Sequence, residues 1–523
     1  MGKTLIKISP PIWPIFEVEI EIIKRELEKK NQVTIITCDG KKKFCVANEN
    51  MSRIKCSYCK KRLKDGINFI EKFHKSQIIT SIENQKSDLN INLADSIKKL
   101  KTKKELMNLK YEKIDIGTSV LSTLVTQYNT ENISLIKKKK LIEEIFKQSI
   151  NSLENFKKII KKNLYKKILI FNGRIYNYRP LLRYSQKFKL NTYCYDSAYF
   201  SHAKYLIKKN DFTQNMDERA KEIFKLHKKR KNNLDKKIIY KNGISFFKSR
   251  IQKKNTGPFA IFNAIQQNIL PKEFLKKKFN ISFFTSSDLE TSLITDNEKR
   301  FIYENQLSGI KKIIKDLKRK ENIYFFIRLH PNFAKDNLNT NNFLRLEKAY
   351  KNLKIIKPLS TIDSYKLAKN SDLVITFGST IGIESVFLKK NVINLGPSAY
   401  KEFKLDYQPT THFNAIKIIS KLISKNKFKI QSYDKSIFAA DAMINQGEKL
   451  KYLKRKDNFN SYYLIKGIKY KFIKLDIINL LYLLDFLMNR SFGLIKILFL
   501  DYNFFKFKIF NYFVRLKNIF FRD

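Results

Sequence analysis

The sequence has few cysteines and few acidic residues for its length, and each shortage is informative. Five cysteines in 523 residues are too sparse for a disulfide-stapled secreted module. Asp and Glu number 48 against 105 Lys and Arg, which gives a formal net charge of +57. With 43% hydrophobic and 13% aromatic residues, however, the chain is too rich in core-forming side chains to be disordered throughout. We therefore expect roughly two to four folded domains.

Long apolar runs are also absent. No stretch of 18 or more apolar residues occurs, so the sequence predicts no membrane-spanning helix. The longest run, Ile477–Met488, is interrupted by Asp485. The first twenty residues contain prolines and glutamates and lack the apolar core of a signal peptide. These absences predict a cytoplasmic protein, and a peripheral position on the inner face of the cytoplasmic membrane stays open.

The positive charge has two interpretations. An AT-rich genome supplies Lys, Asn, Ile, Tyr and Phe at tolerant surface positions, and this composition fits that origin. The alternative is a polyanionic partner or an anionic membrane surface. The charge is spread along the chain, and no helix-turn-helix, finger or RNA-binding signature accompanies it. We therefore expect no specific nucleic-acid partner.

Strands alternate with helices in two separate parts of the sequence. The strand Thr4–Ile8 is followed by apolar residues at helical spacing and by a second strand, Val33–Thr37. The same order recurs from Lys166 to Tyr195 and, over more repeats, from Ile281 to Leu395. This alternation predicts two Rossmann-like, doubly wound α/β domains facing a cleft.

The domain boundaries follow from these patterns. We predict an N-terminal Rossmann-like domain over 1–204 with a cysteine-containing insertion near 38–60, a connector over 205–258, a C-terminal Rossmann-like domain over 259–430, and a helical, basic, aromatic-rich extension over 431–523. The extension either completes the fold or lies on an anionic membrane.

Three predicted strands end in residues suited to phosphate. Arg328, His330, Pro331 and Asn332 follow one strand, and an Arg–His pair can donate charge-assisted hydrogen bonds to phosphate oxygens. Ser286 and Ser287 follow another. In doubly wound sheets ligands bind at the carboxyl ends of the strands, so these tips should lie together. The alternative for the serine tip is an ordinary capped turn.

The third tip is Thr376–Ser385, in which a strand runs into a turn and then into a helix. The candidate ligand-binding residues here are Gly378, Ser379, Thr380, Gly382 and Glu384. Small residues allow close approach of the backbone, the helix start attracts phosphate, and the Glu384 carboxylate can accept from ribose hydroxyls.

These tips, with Asp363-Ser364-Tyr365, Ser371-Asp372-Leu373-Val374 and Gly396-Pro397, resemble bacterial capsule and surface-polysaccharide glycosyltransferases. The resemblance is clear over 280–400 and weaker over 1–60 and 166–200. It implies the GT-B arrangement of two Rossmann-like domains. It also implies that His330, Pro331, Ser379 and Thr380 bind the nucleotide of a sugar donor, with a cytidine nucleotide favoured and uridine next.

The resemblance further implies a partner set and a cofactor requirement. The donor is a nucleotide sugar, and the acceptor is a surface polysaccharide or a lipid-linked glycan. GT-B chemistry generally needs no bound metal, so no cofactor is expected for catalysis. Two rival functions stay open: a nucleotide-sugar 2-epimerase of the same fold, and a non-enzymatic protein that binds polyanions or membrane surfaces.

The acceptor side should come from the N-terminal domain. Glu17 and Asp196 have the chemistry of a general base, although each could instead be a cap or a surface acid. Asn172 and Arg174 flank Gly173 after a predicted strand, where the glycine allows close approach and the arginine can hold an anion. These four are the candidate catalytic residues.

Four of the cysteines, Cys38, Cys45, Cys56 and Cys59, lie within 22 residues with the spacing C-x6-C-x10-C-x2-C. Four thiolates suit tetrahedral zinc, and a site closed by four cysteines would be structural. A single Cys-x2-Cys pair is not a standard zinc-ribbon spacing. Free buried thiols and redox chemistry therefore stay open beside zinc.

Overall fold

A computed structural model describes residues 2–10, 15–74, 78–82, 91–128, 130, 133–253, 266–274, 278–287, 293, 302–317, 322–335, 337–425, 430–455, 461–465 and 467–470. The chain divides into two compact units. The N-terminal unit holds residues up to Ala198, His202–Thr213 and the described residues from Gly447 onward. The C-terminal unit holds Tyr199–Ser201 and Gln214–Gln446.

The first part of the N-terminal unit alternates strands and helices. Its elements are β1 (Lys3–Lys7), α1 (Ile15–Glu28), β2 (Gln32–Thr37), α2 (Arg53–Glu71), β3 (Ile78–Ile82), α3 (Ile91–Lys99), α4 (Lys103–Asn108), α5 (Ile116–Tyr128), α6 (Lys139–Lys162), β4 (Lys167–Phe171), α7 (Arg179–Lys187), β5 (Thr192–Ser197) and β6 (Lys204–Lys209).

The C-terminal unit repeats this alternation. Its elements are α8 (Met216–Asn233), α9 (Lys236–Ile251), β7 (Phe279–Phe284), α10 (Gln306–Leu317), β8 (Ile323–Arg328), α11 (Asn337–Ala349), β9 (Leu353–Ile356), α12 (Ser364–Asn370), β10 (Leu373–Thr376), α13 (Ile381–Phe387), β11 (Asn391–Asn394), α14 (His412–Ser424) and α15 (Ile430–Asn445). The chain then returns to the N-terminal unit as β12 (Glu448–Lys449), β13 (Leu453–Arg455), β14 (Ser461–Ile465) and β15 (Ile468–Tyr470).

Both units are built on doubly wound sheets. The N-terminal sheet has the order β12-β6-β5-β4-β1-β2-β3. The strands from β5 to β3 are parallel, β6 pairs antiparallel with β5, and β12 pairs antiparallel with β6. The C-terminal sheet, β11-β10-β7-β8-β9, is parallel throughout. In each sheet the first strand lies beside the fourth, so the winding reverses there. The predicted fold of two Rossmann-like units is confirmed.

The sheets form because their strands are continuous apolar runs that helices cover on both faces. All six residues of β8 are buried, for example, and α10 places Ile310, Ile313, Ile314 and Leu317 against the same core. No helix in the described ranges is long and apolar enough to cross a membrane.

The structure divides the chain differently from the predicted boundaries. Residues 205–258 were expected to be a connector, but β6 extends the N-terminal sheet and α8 and α9 pack on α15 within the C-terminal unit. These helices are rich in lysine, but each also contributes core residues: Ile223 and Phe247 are fully buried.

The start of the predicted C-terminal extension also differs from expectation. Residues 431–445 form most of α15, which belongs to the C-terminal unit, and the described residues between Glu448 and Tyr470 contain four strands and no helix. The three strands β13, β14 and β15 make a small antiparallel sheet, and Tyr463 packs into the core around α1. The remaining part of the predicted extension, 471–523, lies outside the described residues.

Candidate functional site

The C-terminal unit has a cavity of about 370 Å³ at the carboxyl edge of its sheet. Its wall comes from the segments after β7, β8, β10 and β11, with further residues from α8, α9 and Tyr199–Phe200. Because the winding reverses between β7 and β10, the cavity lies at the position where doubly wound sheets bind ligands. We call it the strand-tip cavity.

The structure brings nearly all the predicted donor residues to this cavity. Those that line it are Ser286, Ser287, Arg328, His330, Pro331, Asn332, Gly378, Ser379, Thr380 and Glu384. Gly382 lies outside the lining, because it packs against the hydroxyl of Tyr400, which in turn donates to the Ser379 carbonyl at 2.8 Å.

The tips of β7 and β8 are fastened to each other by hydrogen bonds. The Thr285 hydroxyl accepts from the backbone N–H of His330 at 2.7 Å. The Asn332 side-chain amide donates to the Ser287 hydroxyl at 2.7 Å. These bonds hold hydroxyl, amide and imidazole groups in one wall of the cavity.

His330 is neutral at physiological pH. Burial, with the charge of Arg328 adding to it, lowers its pKa to about 4. Its Nδ1 accepts from the Asn332 backbone N–H at 3.2 Å, so the hydrogen bonding assigns the ring proton to Nε2. The ring is therefore a neutral N–H donor and carries no positive charge.

Arg328 has a different role from the one predicted. Its guanidinium donates to the carbonyls of Lys357 at 3.2 Å and Ser360 at 3.1 Å, so it holds the loop after β9. Burial lowers its pKa to about 10, which leaves it charged at neutral pH. It contributes positive potential to the strand-tip cavity, while two of its donors are used by the protein.

The tip of β10 approaches the loop after β11 very closely. Gly378 has φ +87°, and a Cβ atom there would lie 2.1 Å from the Pro397 carbonyl oxygen. Its N–H donates to the Asn394 side chain at 2.9 Å, which also accepts from Gly396 N–H at 3.3 Å. The turn therefore requires glycine, and Asn394 fixes its position.

Glu384 is part of a buried ion pair. Its carboxylate accepts from Arg250 of α9, and the same guanidinium donates to the Thr380 hydroxyl at 3.4 Å. Burial alone would lower the pKa of Arg250, but Glu384 and Tyr365 together outweigh burial and raise that pKa. The expected acceptor for ribose hydroxyls is thus already bound by an arginine.

Two arginines of this cavity escaped the sequence analysis. Arg219 and Arg250 come from α8 and α9, in the predicted connector, and both line the cavity. The Arg219 guanidinium lies 4.0 Å from the Tyr199 ring centroid, and its Nε donates to Gln446 at 2.9 Å. The signal that could have found Arg250 is the apolar spacing of Ile239, Gly243 and Phe247, which indicates that α9 packs on a core.

In the N-terminal unit two of the candidate catalytic residues lie at adjacent strand tips: the Asn172 N–H donates to the carbonyl of Tyr195, next to Asp196, at 2.9 Å. Glu17 is 2% exposed on α1 and forms a buried ion pair with Arg62 of α2. Burial raises the pKa of Glu17, and Arg62 opposes that rise. An acceptor cannot reach this carboxylate, so Glu17 is not placed to act as a general base.

Asp196 and the Asn172 turn are likewise occupied locally. The Asp196 carboxylate accepts from its neighbour Ser197 N–H at 2.8 Å and from the Thr213 hydroxyl at 3.3 Å. The Asn172 side chain accepts from Arg174 N–H at 3.0 Å, and Arg174 donates to Thr126 at 3.0 Å. None of these residues lines the strand-tip cavity or the second cavity, which is described next.

A second cavity, of about 100 Å³, lies at the carboxyl edge of the N-terminal sheet. Its wall includes residues after β1 and β2, the first turns of α2, and Tyr176 and Asn177 after β4. All four clustered cysteines, Cys38, Cys45, Cys56 and Cys59, line it. We call it the thiol cavity.

The thiols are near one another without forming a metal-binding geometry. Burial raises the pKa of Cys45, and the neighbouring thiols Cys38 and Cys56 add to that rise. None of the cysteines is in a disulfide. Among the described residues, no three Cys, His, Asp or Glu side chains are arranged so that they could hold one ion. The tetrahedral site of the zinc prediction is thus not preformed.

The fold is that of a protein of two Rossmann-like α/β units, with the strand-tip cavity in the second. No protein-family model and no curated protein matches the chain. Among solved structures, it is similar to the β-Kdo 2,4-transferase KpsC of Thermosulfurimonas dismutans. The identity is 12% and the TM-score 0.34, over 58% of this chain and 83% of that one.

Two further likenesses are to other enzymes. The UDP-GlcNAc 2-epimerase of Neisseria meningitidis, solved with UDP-GlcNAc, is 12% identical with a TM-score of 0.30, over 85% of this chain and 99% of that one. The spinosyn rhamnosyltransferase SpnG is 7% identical with a TM-score of 0.25, over 86% and 96%. Such values assign no role to individual residues of this chain.

Proposed function

We propose that the chain is a glycosyltransferase that takes its sugar from a nucleotide-sugar donor of the CMP or UDP type. The acceptor in this proposal is a surface polysaccharide or a lipid-linked glycan. The observation that carries the proposal is the strand-tip cavity: a site at the winding reversal of a parallel sheet, lined by hydroxyls, an amide, a neutral imidazole and arginines.

The chemistry of this lining suits a sugar nucleotide. Ser287, Asn332, Ser379 and Thr380 offer small polar groups of the kind that bind phosphate and ribose oxygens. The cations Arg219, Arg250 and Arg328 make the cavity wall electropositive, and the sole carboxylate among the described lining residues, Glu384, is paired with Arg250. An anionic ligand is therefore favoured over a cationic one.

His330 would stabilise the departing nucleotide. Its Nε2–H can donate to a phosphate oxygen on which charge develops as the glycosidic bond to the sugar breaks. A neutral donor remains in the same state throughout the neutral pH range, because the pKa of about 4 lies far below it. We propose that these groups, together with the arginine charges, provide the electrostatic stabilisation and that no bound metal is required.

The alternatives predict different products. A 2-epimerase would need a carboxylate pair near the sugar, whereas the described lining offers Glu384 alone, held by Arg250. It would interconvert a free nucleotide sugar without an acceptor. A non-enzymatic polyanion-binding protein would ignore nucleotide sugars and bind with a steep dependence on salt.

The test is a thermal-shift panel with CMP, CDP, UDP, GDP and ADP, followed by titration of any nucleotide that binds. At about 100 times its Kd a nucleotide stabilises the folded state by about 2.7 kcal/mol. We expect one base to be preferred and His330→Ala to weaken its binding about tenfold, as for one lost hydrogen bond to a charged group.

The matched control is His74→Ala, which removes an imidazole that lines neither cavity. It should bind the nucleotide as tightly as the wild type. The preferred nucleotide sugar is then incubated with and without a glycan acceptor, and transferred sugar, epimer and free nucleotide are measured. Absence of binding to every nucleotide by folded protein would refute the proposal, and an epimer formed without acceptor would establish the rival.

A further inference from the structure

The four cysteines of the thiol cavity come from the residue just after β2, from the connection that follows it, and from α2. Cys38 follows β2, Cys45 lies in the β2–α2 connection, and Cys56 and Cys59 are on α2. We propose that these four thiols converge on one metal ion of the zinc class and bind it as a structural site. This proposal is independent of the nucleotide site in the other unit.

The ligand chemistry of the wall favours a thiophilic ion. No carboxylate and no imidazole is among the described residues that line this cavity. Sulfur ligands select zinc-class ions, whereas Mg²⁺ and Ca²⁺ need oxygen ligands. Four thiolates would fill a tetrahedral shell completely, so the bound ion would have no open position for substrate.

The wall also contains donors that stabilise sulfur in its ligand form. The Gly40 N–H donates to Cys38 Sγ at 3.2 Å, and the Asn48 side-chain amide donates to Cys56 Sγ at 3.3 Å. Hydrogen bonds of this kind orient thiolate ligands and moderate their charge. Lys42, Lys55 and Lys60 line the same cavity, and their charges would offset the excess negative charge of four thiolates on a divalent ion.

Half of the site is carried by a regular element and half by an irregular one. Cys56 and Cys59 are three residues apart on α2, so they share one face of the helix. Cys38 and Cys45 lie in the connection 38–52, which has no helix or strand. Because the thiols as arranged do not hold an ion, binding requires this connection to close on α2. Metal binding is therefore coupled to local folding.

The experiment measures metal on the full-length protein, purified under reducing conditions. Zinc is quantified by elemental analysis in the wild type, in the double variant Cys56→Ser/Cys59→Ser and in Cys194→Ala. Cys194 is buried on β5 and does not line the cavity, which makes it the matched control. We expect about one zinc per chain in the wild type and the control, and nearly none in the double variant.

A second measurement covers the case in which the double variant does not fold. Wild-type protein is stripped with a chelator and titrated with Co²⁺, which should give a thiolate-to-cobalt charge-transfer band that zinc abolishes. Stripping should also raise amide hydrogen exchange over 38–60, and zinc should restore protection. The proposal is overturned if stripped wild-type protein gives no such band, or if the double variant keeps its zinc.

Discussion

The two units have cavities at equivalent positions in their sheets but with different chemistry. Each lies beyond the carboxyl ends of the first two strands and beside the turn after the fourth strand. The N-terminal cavity measures about 100 Å³ and is lined by thiols and lysines. The C-terminal cavity measures about 370 Å³ and is lined by hydroxyls, an imidazole and arginines. Strand order thus determines where a cavity forms, and the loops determine what it can bind.

The largest expected effect comes from a buried ion pair that each unit contains. Arg62 pairs with Glu17 in the N-terminal unit, and Arg250 pairs with Glu384 in the C-terminal unit. Replacing either arginine by methionine leaves a buried carboxylate without its partner, which costs about 3–5 kcal/mol. We expect Arg62→Met and Arg250→Met each to lower the free energy of unfolding of its own unit, as measured by hydrogen exchange resolved to each unit.

The two variants should differ in ligand binding. Arg250 lines the strand-tip cavity and holds Thr380, whereas Arg62 lines neither cavity. Nucleotide affinity should therefore fall for Arg250→Met and remain unchanged for Arg62→Met. Equal affinity in both variants would mean that α9 contributes only to folding. The predicted difference between the two ion pairs in ligand binding would then be wrong.

The turn after the fourth strand gives the next largest effect. Gly378 and Gly173 occupy this turn in the two units, with φ +87° and +80°. A Cβ at Gly378 would meet the Pro397 backbone at 2.1 Å, whereas one at Gly173 would meet the side-chain ends of Leu182 at 2.8 Å and Cys194 at 2.9 Å.

Side chains can move aside to make room for an added Cβ atom, whereas the backbone cannot. We therefore expect Gly378→Ala to destabilise its unit by about 2–3 kcal/mol and Gly173→Ala by about 1–2 kcal/mol. Urea unfolding of both variants, read out by unit, tests the order. If Gly173→Ala is the more damaging, close backbone approach is not what distinguishes the strand-tip cavity.

Two buried groups, one in each unit, should contribute oppositely to the dependence of stability on pH. Burial raises the pKa of Glu19 to about 8, against the opposing hydrogen bonds from Tyr195 and Ser9. The folded N-terminal unit therefore holds a proton that the unfolded chain releases near pH 4.5, and its stability falls as pH rises from there to about 8. His330 has a lowered pKa of about 4, so its contribution to the stability of the C-terminal unit is lost as pH falls from about 6.5 to 4. In the same unit, burial raises the pKa of Asp406 to about 7, and this carboxyl contributes the opposite trend.

Each of these groups contributes at most about 1.4 kcal/mol per pH unit within its window. Hydrogen exchange resolved to each unit, at about pH 5 and about pH 8 and corrected for the intrinsic exchange rate, is compared between the wild type and a variant of each group. Glu19→Gln should remove a loss of stability toward pH 8 from the N-terminal unit, and His330→Asn should remove a gain of stability toward pH 8 from the C-terminal unit. A change of the same sign in both variants would contradict these assignments.

The sequence predicted the sheets because their strands are apolar runs bounded by polar turns. The predicted strand Ile323–Leu329 corresponds to β8, Ile323–Arg328, and the tips that follow such runs do line one cavity. It did not predict the return of the chain to the N-terminal sheet. The two residues of β12 carry no pattern of their own, and they become a strand only because β6 lies beside them.

The hydrogen-bond and ion-pair partners of the site's side chains could not be predicted from the sequence. The position of Glu384 after a strand is readable, but its pairing with Arg250 joins residues 134 positions apart. Similarly, the order of residues places Arg328 at a strand tip without showing that its guanidinium turns toward the carbonyls of Lys357 and Ser360. Local patterns give the positions of functional groups, and tertiary packing decides which of them are already occupied.

The smallest expected effect comes from removing one hydroxyl group from each cavity in turn. Ser287 lines the strand-tip cavity and is held by Asn332, whereas Thr37 lines the thiol cavity. We expect Ser287→Ala to weaken nucleotide binding about two- to tenfold, the effect of one neutral hydrogen bond, and Thr37→Val to leave it unchanged. Calorimetric titration of the preferred nucleotide measures both. If Thr37→Val weakens binding as much as Ser287→Ala does, the nucleotide also depends on the N-terminal cavity, and the assignment of separate ligands to the two cavities is wrong.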